Sequence, residues 1–168
     1  MPNWCMNNIT IEHDDPAMVD RFEGAYNRGM TCEEFLPVPK DENGRIFDDW
    51  YNWCVNNWGT KWDFGADIGT DKNPEQYALK ATRVSNQVSA SFDSAWSPPV
   101  GLYGKLVELG YNVRATYWEP GMAFCGIWDN GYDNYIDYGG MDNPEDSIPV
   151  ALWNEYHMDE FFNEEEVA

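Results

Sequence analysis

Four of the chain's nine tryptophans lie within the fourteen residues from Trp50 to Asp63. The spacing i, i+3, i+4, i+7, which places residues on one face of a helix, is occupied here by Trp50, Trp53, Cys54 and Asn57. Gly59 ends this pattern, and beyond it Trp62 and Phe64 alternate with Lys, Asp and Gly, as in a half-buried strand. The stretch therefore predicts a helix, a glycine corner and a strand.

The composition indicates a folded chain with one core. Of its 168 residues, 43% are hydrophobic and 16% are aromatic, which is enough for a single domain of substantial size. Disordered acidic chains combine high net charge with few aromatic residues, whereas this chain has nine Trp, ten Tyr and eight Phe. We therefore expect one globular domain.

The sequence shows neither a membrane segment nor a leader. No stretch approaches the roughly 18 consecutive apolar residues of a membrane helix, and the first residues contain no basic segment followed by an apolar one. We expect a cytoplasmic protein without a membrane partner. The cysteines form no Cys-x-x-Cys pair, which predicts reduced, buried thiols at Cys5, Cys32, Cys54 and Cys125.

The remaining patterns predict an α+β fold with an antiparallel sheet. Residues 3–12 predict a first strand, and Pro16 follows Asp14 and Asp15, either of which can cap a helix that ends at Gly29. Further strands are predicted at 77–84, 87–96, 111–118 and 122–128, with a helix from Val100 to Gly110. This order is typical of a ferredoxin-like split βαβ core with helices on one face, an inserted tryptophan-rich helix and an added hairpin strand.

Four ordered motifs are specific enough to suggest a family. They are Met1-Pro2-Asn3-Trp4-Cys5, Asn56-Asn57-Trp58-Gly59-Thr60-Lys61-Trp62-Asp63, Phe92-Asp93-Ser94-Ala95-Trp96-Ser97-Pro98-Pro99, and Tyr117-Trp118-Glu119-Pro120-Gly121 followed by Phe124 and Gly126. Together they resemble the YubB-type ferredoxin-like family of bacteriophages and plasmids. The resemblance covers roughly residues 1–128 and implies a ferredoxin-like domain and a mobile-element origin. It implies no activity.

Residues 1–128 are thus the predicted core, with an insertion at about residues 30–60, and residues 129–168 are an acidic extension packed on the same domain. From Ala115 to Ala168 the chain has thirteen Asp and Glu and no Lys or Arg. An apolar stripe opposite these acids predicts one amphipathic helix through Val150, Trp153, Tyr156, His157, Phe161 and Phe162.

The charge restricts what the protein can bind. Ten Lys and Arg against thirty Asp and Glu give a net charge of -20, which repels nucleic acid because phosphate binding depends on basic residues. A basic, nucleic-acid-handling host protein is the expected partner, and a DNA-mimic inhibitor is the function that this predicts. The predicted contact residues are Asp129, Asp133, Asp137, Asp142, Glu145, Asp146, Glu155 and Asp159. The open alternative is an acidic surface that only keeps the protein soluble.

The chemistry of a typical enzyme is not visible in the sequence. His13 and His157 are the only histidines, and neither has a Cys or a second His at ligand spacing. We therefore expect no catalytic residue, metal or cofactor, although looser calcium binding by carboxylates stays open. A second hypothesis is a small-molecule or sugar-binding module, or an enzyme, with a groove formed by Asn3, Trp58, Lys61, Asp63 and Trp96.

Overall fold

A computed structural model describes residues 3–46, 48–66 and 76–166. The strands are β1 Trp4–Glu12, β2 Thr82–Val84, β3 Gln87–Ala95, β4 Asn112–Glu119, β5 Phe124–Asp129 and β6 Tyr132–Asp137. The helices are α1 Pro16–Asn27, α2 Thr31–Phe35, α3 Trp50–Asn57, α4 Val100–Glu108, α5 Val150–Glu155 and α6 Met158–Glu166, with a short 3-10 helix at Pro144–Asp146. None of the described helices is long and apolar enough to cross a membrane.

All six strands form one antiparallel sheet in the order β2-β3-β1-β4-β5-β6. In the first four, β1 leads through α1 to the β2–β3 hairpin, and β3 leads through α4 to β4 on the other side of β1. This is the split βαβ arrangement of a ferredoxin-like fold, so the predicted α+β class is confirmed. β5 and β6 extend the sheet beyond β4 as an antiparallel hairpin.

Helices α1 and α4 cover one face of the sheet. Alternate residues of β1, such as Ile9 and Ile11, are fully buried beneath them. Phe64 stacks on Phe92 of β3 with ring centroids 3.8 Å apart. The helix start is as predicted, because Asp15 accepts a hydrogen bond from the amide of Ala17 with Pro16 in the first turn.

The opposite face of β4 and β5 packs against α5 and α6. A second core cluster there consists of Trp118, Cys125, Tyr138, Ile148, Leu152 and Met158. The predicted single helix is wrong, since α5 ends before His157, which adopts a positive φ of 50°. After this break Met158 is fully buried, whereas Val150 of the predicted apolar stripe is 72% exposed. All four cysteines are free and buried, as predicted.

Two strand predictions are corrected. Only residues 82–84 of the segment 77–84 form a strand, with Ala78 making an isolated bridge to Phe92. No strand forms after Gly59 in the described residues 60–66. There the amide of Ala66 donates to Tyr26 and the amide of Thr31 donates to Phe64, so the backbone bonds to the ends of α1 and α2 and not to a strand.

Candidate functional site

The acidic residues differ sharply in what surrounds them along the chain. The seven ion pairs among the described residues all lie between Asp20 and Glu108. The sequence has no Lys or Arg after Arg114, which lies opposite Asp129 in the β4–β5 pair, so the carboxylates from Asp129 onward have no basic side chain nearby in sequence. Unrelieved like charge of this kind produces a strong negative potential at the surface.

Three of the predicted contact residues, Asp142, Glu145 and Asp159, line one open pocket of about 530 Å³, which we call the acidic pocket. The other residues that line it are Met141, Asn143, Pro144, Trp153, Phe162 and Asn163. The rings of Trp153 and Phe162 stack with centroids 5.1 Å apart and nearly parallel planes. The acidic pocket therefore combines negative charge with flat apolar surface.

The three carboxylates of the acidic pocket are free to bind. No described residue donates a hydrogen bond to the carboxylate of Asp142, Glu145 or Asp159 or forms an ion pair with it. All three residues are exposed. Asp146 lies next to them at the end of the 3-10 helix and is also exposed. Exposed carboxylates with spare acceptor capacity attract guanidinium and ammonium groups.

Four other predicted contact residues, Asp129, Asp133, Asp137 and Glu155, accept internal hydrogen bonds. Asp133 accepts a 2.6 Å hydrogen bond from the hydroxyl of Tyr117, and Asp137 accepts one from the amide of Gly139. Glu155 accepts from Asn8 at 2.8 Å and from Thr116 at 2.9 Å, which ties α5 to the sheet.

Asp129, Asp133 and Asp137 lie in the β5–β6 hairpin, but they do not all lie on the same face of the sheet. Asp133 is paired with Trp128 and shares the face of α1 and α4, whereas Asp129 is paired with Tyr132 on the opposite face. Asp129 ends β5 and accepts a hydrogen bond from the side chain of Asn130. The acidic residues that come together in space are thus those after β6.

The predicted groove of five residues is divided between two places. Trp58, Lys61 and Asp63 line a cleft of about 380 Å³, which we call the tryptophan cleft. Asn3 and Trp96 do not line it; they meet elsewhere, where the amide of Trp96 donates to the carbonyl of Asn3. The remaining lining residues of the cleft are Gly29, Met30, Glu33, Val38, Lys40, Ile46, Trp50, Cys54 and Trp62.

Asp63 connects the tryptophan cleft to α2. Its carboxylate accepts hydrogen bonds from the amides of Cys32 at 2.7 Å, Glu33 at 2.8 Å and Phe64 at 2.8 Å. The first two are unpaired amides of the first turn of α2, so Asp63 caps this helix from a distant part of the chain. Burial raises the pKa of Asp63 to about 6, against the effect of these hydrogen bonds.

A third cavity lies on the sheet face that α5 and α6 leave open, between β1, β3 and the turn before α6. Glu155 and His157 line it together with Asp93 of β3. Burial raises the pKa of Asp93 to about 6, and its carboxylate accepts one long hydrogen bond of 3.4 Å from the amide of Tyr77. Asp93 was within a predicted strand, but its sequence position gave no sign of this environment.

Sequence reasoning also missed several residues that shape the two sites. Val38 lines the tryptophan cleft, and its position between Pro37 and Pro39 was the available indication. Met141 and Asn143 of the acidic pocket belong to a polar loop without a periodic pattern. In the described part of the chain no three His, Cys, Asp or Glu residues are grouped to hold a metal ion.

Comparison with known proteins adds one distant structural similarity. No family model and no curated protein matches the sequence. A crystal structure of a protein api92 from Yersinia pseudotuberculosis, of the DUF1281 family model, is similar with a TM-score of 0.34 and 22% sequence identity. The match covers 54% of this chain and 30% of that one, so the chain spans less than a third of the api92 structure. The YubB-type resemblance stays a prediction.

Proposed function

We propose that this protein is a phage- or plasmid-encoded inhibitor that binds a basic, nucleic-acid-handling protein of the host cytoplasm. The observation that carries the proposal is the acidic pocket, where Asp142, Glu145 and Asp159 surround one cavity without any internal partner among the described residues. A folded chain normally intersperses opposite charges on its surface. This part of the chain does not, and a cationic partner would supply the missing charge.

The chemistry of the acidic pocket suits arginine and lysine side chains. A guanidinium group can form bidentate hydrogen bonds with a carboxylate such as Asp142 or Glu145. It can also stack on an aromatic face, and the stacked rings of Trp153 and Phe162 offer such faces beside the acids. Basic residues that contact phosphates in a host protein are the same residue types, which is the basis for proposing a DNA mimic.

Steering by charge would make the association fast and salt-sensitive. The net charge of -20 attracts a basic surface over about 10 Å at moderate ionic strength. The same charge repels DNA and RNA, so the proposed inhibitor competes with nucleic acid for its partner and does not bind nucleic acid itself.

The test is competition between this protein and DNA for a captured partner. The tagged protein is incubated with bacterial lysate at low salt, and proteins released at high salt are identified and purified. Each one is loaded with a fluorescent DNA duplex, and release of the duplex by this protein is followed by anisotropy. The proposal expects stoichiometric release that weakens steeply with salt.

A matched pair of variants distinguishes the contribution of the acidic pocket from that of the protein's net charge. The triple variant Asp142→Asn, Glu145→Gln, Asp159→Asn should weaken duplex release about tenfold or more. The control Glu12→Gln, Asp14→Asn, Glu42→Gln removes the same charge from exposed acids that also lack hydrogen-bond partners among the described residues. If both variants lost duplex release equally, the effect would be due to net charge alone. If the acidic pocket triple variant released the duplex as well as the parent protein, the proposed site would be refuted.

A further inference from the structure

The tryptophan cleft has the character of a ligand site and is separate from the acidic pocket. We propose that it binds a small organic anion with a flat aromatic body, whose charged group is held by Lys61. The inference does not depend on the proposed inhibitor function, because it concerns different residues on a different part of the fold.

The walls of the cleft are aromatic and partly open to solvent. Trp50, Trp58 and Trp62 all line it, and the exposed apolar side chains at its margin include Met30 at 47% and Ile46 at 46%. Contiguous exposed apolar surface is uncommon in soluble domains and marks binding sites. Its volume of about 380 Å³ is near the lower end of the range for small-molecule sites, which fits a compound of one or two fused rings.

The central wall is fixed before any ligand arrives. Trp58 is 4% exposed, and its indole N-H donates a 2.7 Å hydrogen bond to the carbonyl of Leu36. Trp53 contacts it edge-on with ring centroids 6.0 Å apart. A rigid aromatic wall reduces the entropy that binding costs.

The two carboxylates that line the tryptophan cleft already accept hydrogen bonds from backbone amides. Glu33 accepts from the amide of Val38 at 3.0 Å and pairs with Lys40 at 3.2 Å. The carboxylate of Asp63 is occupied by three backbone amides. Neither acid is therefore the group that would fix a ligand.

Lys61 is the charged group of the cleft that still has binding capacity. Its ammonium nitrogen lies 4.4 Å from the ring centroid of Trp62 and 5.6 Å from that of Tyr51. Among the described residues no carboxylate forms an ion pair with Lys61, although the chain has three acids for each basic residue. A cation beside flat apolar walls selects a ligand that joins an anionic group to an aromatic body.

Two fluorescent probes with related ring systems test both parts of this inference. 8-Anilinonaphthalene-1-sulfonate carries an anionic group, and N-phenyl-1-naphthylamine lacks it. We expect saturable, one-to-one binding of the sulfonate with energy transfer from tryptophan, and weaker binding of the neutral probe. Lys61→Met should weaken sulfonate binding about tenfold and change neutral-probe binding less than about twofold.

Two further variants test the effect of net charge and the contribution of the aromatic walls of the tryptophan cleft. Lys80→Met removes an exposed lysine that also lacks an ion pair among the described residues, and it should leave both probes unaffected. Trp50→Ala removes a wall residue that is 38% exposed and should weaken both probes while the unfolding midpoint in urea stays near that of the parent protein. Absence of a saturable site, or equal effects of Lys61→Met and Lys80→Met, would overturn the inference.

Discussion

The tryptophan cleft and the acidic pocket both bring carboxylates next to aromatic rings, but the carboxylates have opposite roles. In the cleft, Asp63 and Glu33 accept hydrogen bonds from backbone amides and hold α2 in place. In the acidic pocket, Asp142 and Asp159 accept none from the described residues. One region uses its acids to build the fold, and the other leaves them available at the surface.

The difference follows from the cost of desolvation. A carboxylate taken out of water must receive hydrogen bonds, and the first turn of a helix offers unpaired amides for this. A carboxylate that stays in water needs no internal donor. Composition alone therefore does not reveal the role of an acidic residue, because the role depends on whether the fold brings amides to it.

The largest expected effect is the loss of the Asp63 cap. Asp63→Ala leaves three amides without their acceptor and should lower the free energy of unfolding by about 3 kcal/mol. Asp63→Asn keeps one acceptor oxygen and should cost less. Urea unfolding followed by tryptophan fluorescence measures both. A loss below about 1 kcal/mol for the alanine variant would contradict a structural role for this carboxylate.

The next prediction tests whether the acidic region from Ala115 to Ala168 also contains carboxylates that stabilise the fold. Glu155→Ala removes the acceptor for Asn8 and Thr116 and should cost about 1 kcal/mol, since the group is exposed. Asp159→Ala, four residues later and without such bonds, should change stability by less than about 0.5 kcal/mol. If the two variants were equally stable in the same unfolding assay, the distinction between bound and free carboxylates would fail in this region.

Local patterns in the sequence predicted the elements but not these roles. The start of α1 at Pro16 and the end of the tryptophan helix near Gly59 follow from caps and spacing, and the structure confirms both. The strand predicted at Trp62 and Phe64 does not form, because Asp63 turns toward amides of α2 that lie about thirty residues earlier. Alternation over a few residues carries no information about a partner so distant in sequence.

Local sequence patterns also could not predict which residues come together in the candidate sites. Lys61 and Trp58 are near each other in sequence and do share the cleft, but Asn3 and Trp96 do not join them. Asp142 and Asp159 line one pocket because the fold brings the loop before the 3-10 helix next to α6. Tertiary folding decides these groupings, and local spacing gives only the residue types.

A separate effect concerns pH and two half-buried acids, Asp63 and Asp93. The folded-state pKa values of Asp63 and Asp93 are raised to about 6, above the usual unfolded value of about 3.9. The folded state therefore binds protons more tightly, and stability rises as the pH falls through about 6. We expect the melting temperature to increase by about 5 °C or more between about pH 7 and about pH 5.

Amide substitution identifies the source of that pH dependence. Asp93→Asn removes a titrating group whose carboxylate has one long hydrogen bond, so the increase on acidification should become smaller. Asp14→Asn, at an exposed position where the carboxylate accepts no hydrogen bond from the described residues, should keep the dependence of the parent protein. Thermal unfolding by circular dichroism at both pH values provides the measurement, and identical pH profiles for all three proteins would exclude Asp93 as a source.

The smallest expected effect is on the stability of the acidic pocket triple variant. Asp142→Asn, Glu145→Gln and Asp159→Asn remove no hydrogen bond between described residues, so the free energy of unfolding should change by less than about 0.5 kcal/mol. The free energy of unfolding should increase slightly, because three mutually repelling charges are neutralised in a chain of net charge -20. Urea unfolding at low salt measures this change. The gain in stability should be smaller at high salt, because salt already screens the repulsion between these charges in the parent protein. A loss of more than about 1 kcal/mol would show that these acids stabilise the fold as Asp63 does, and the contrast between the two regions would no longer hold.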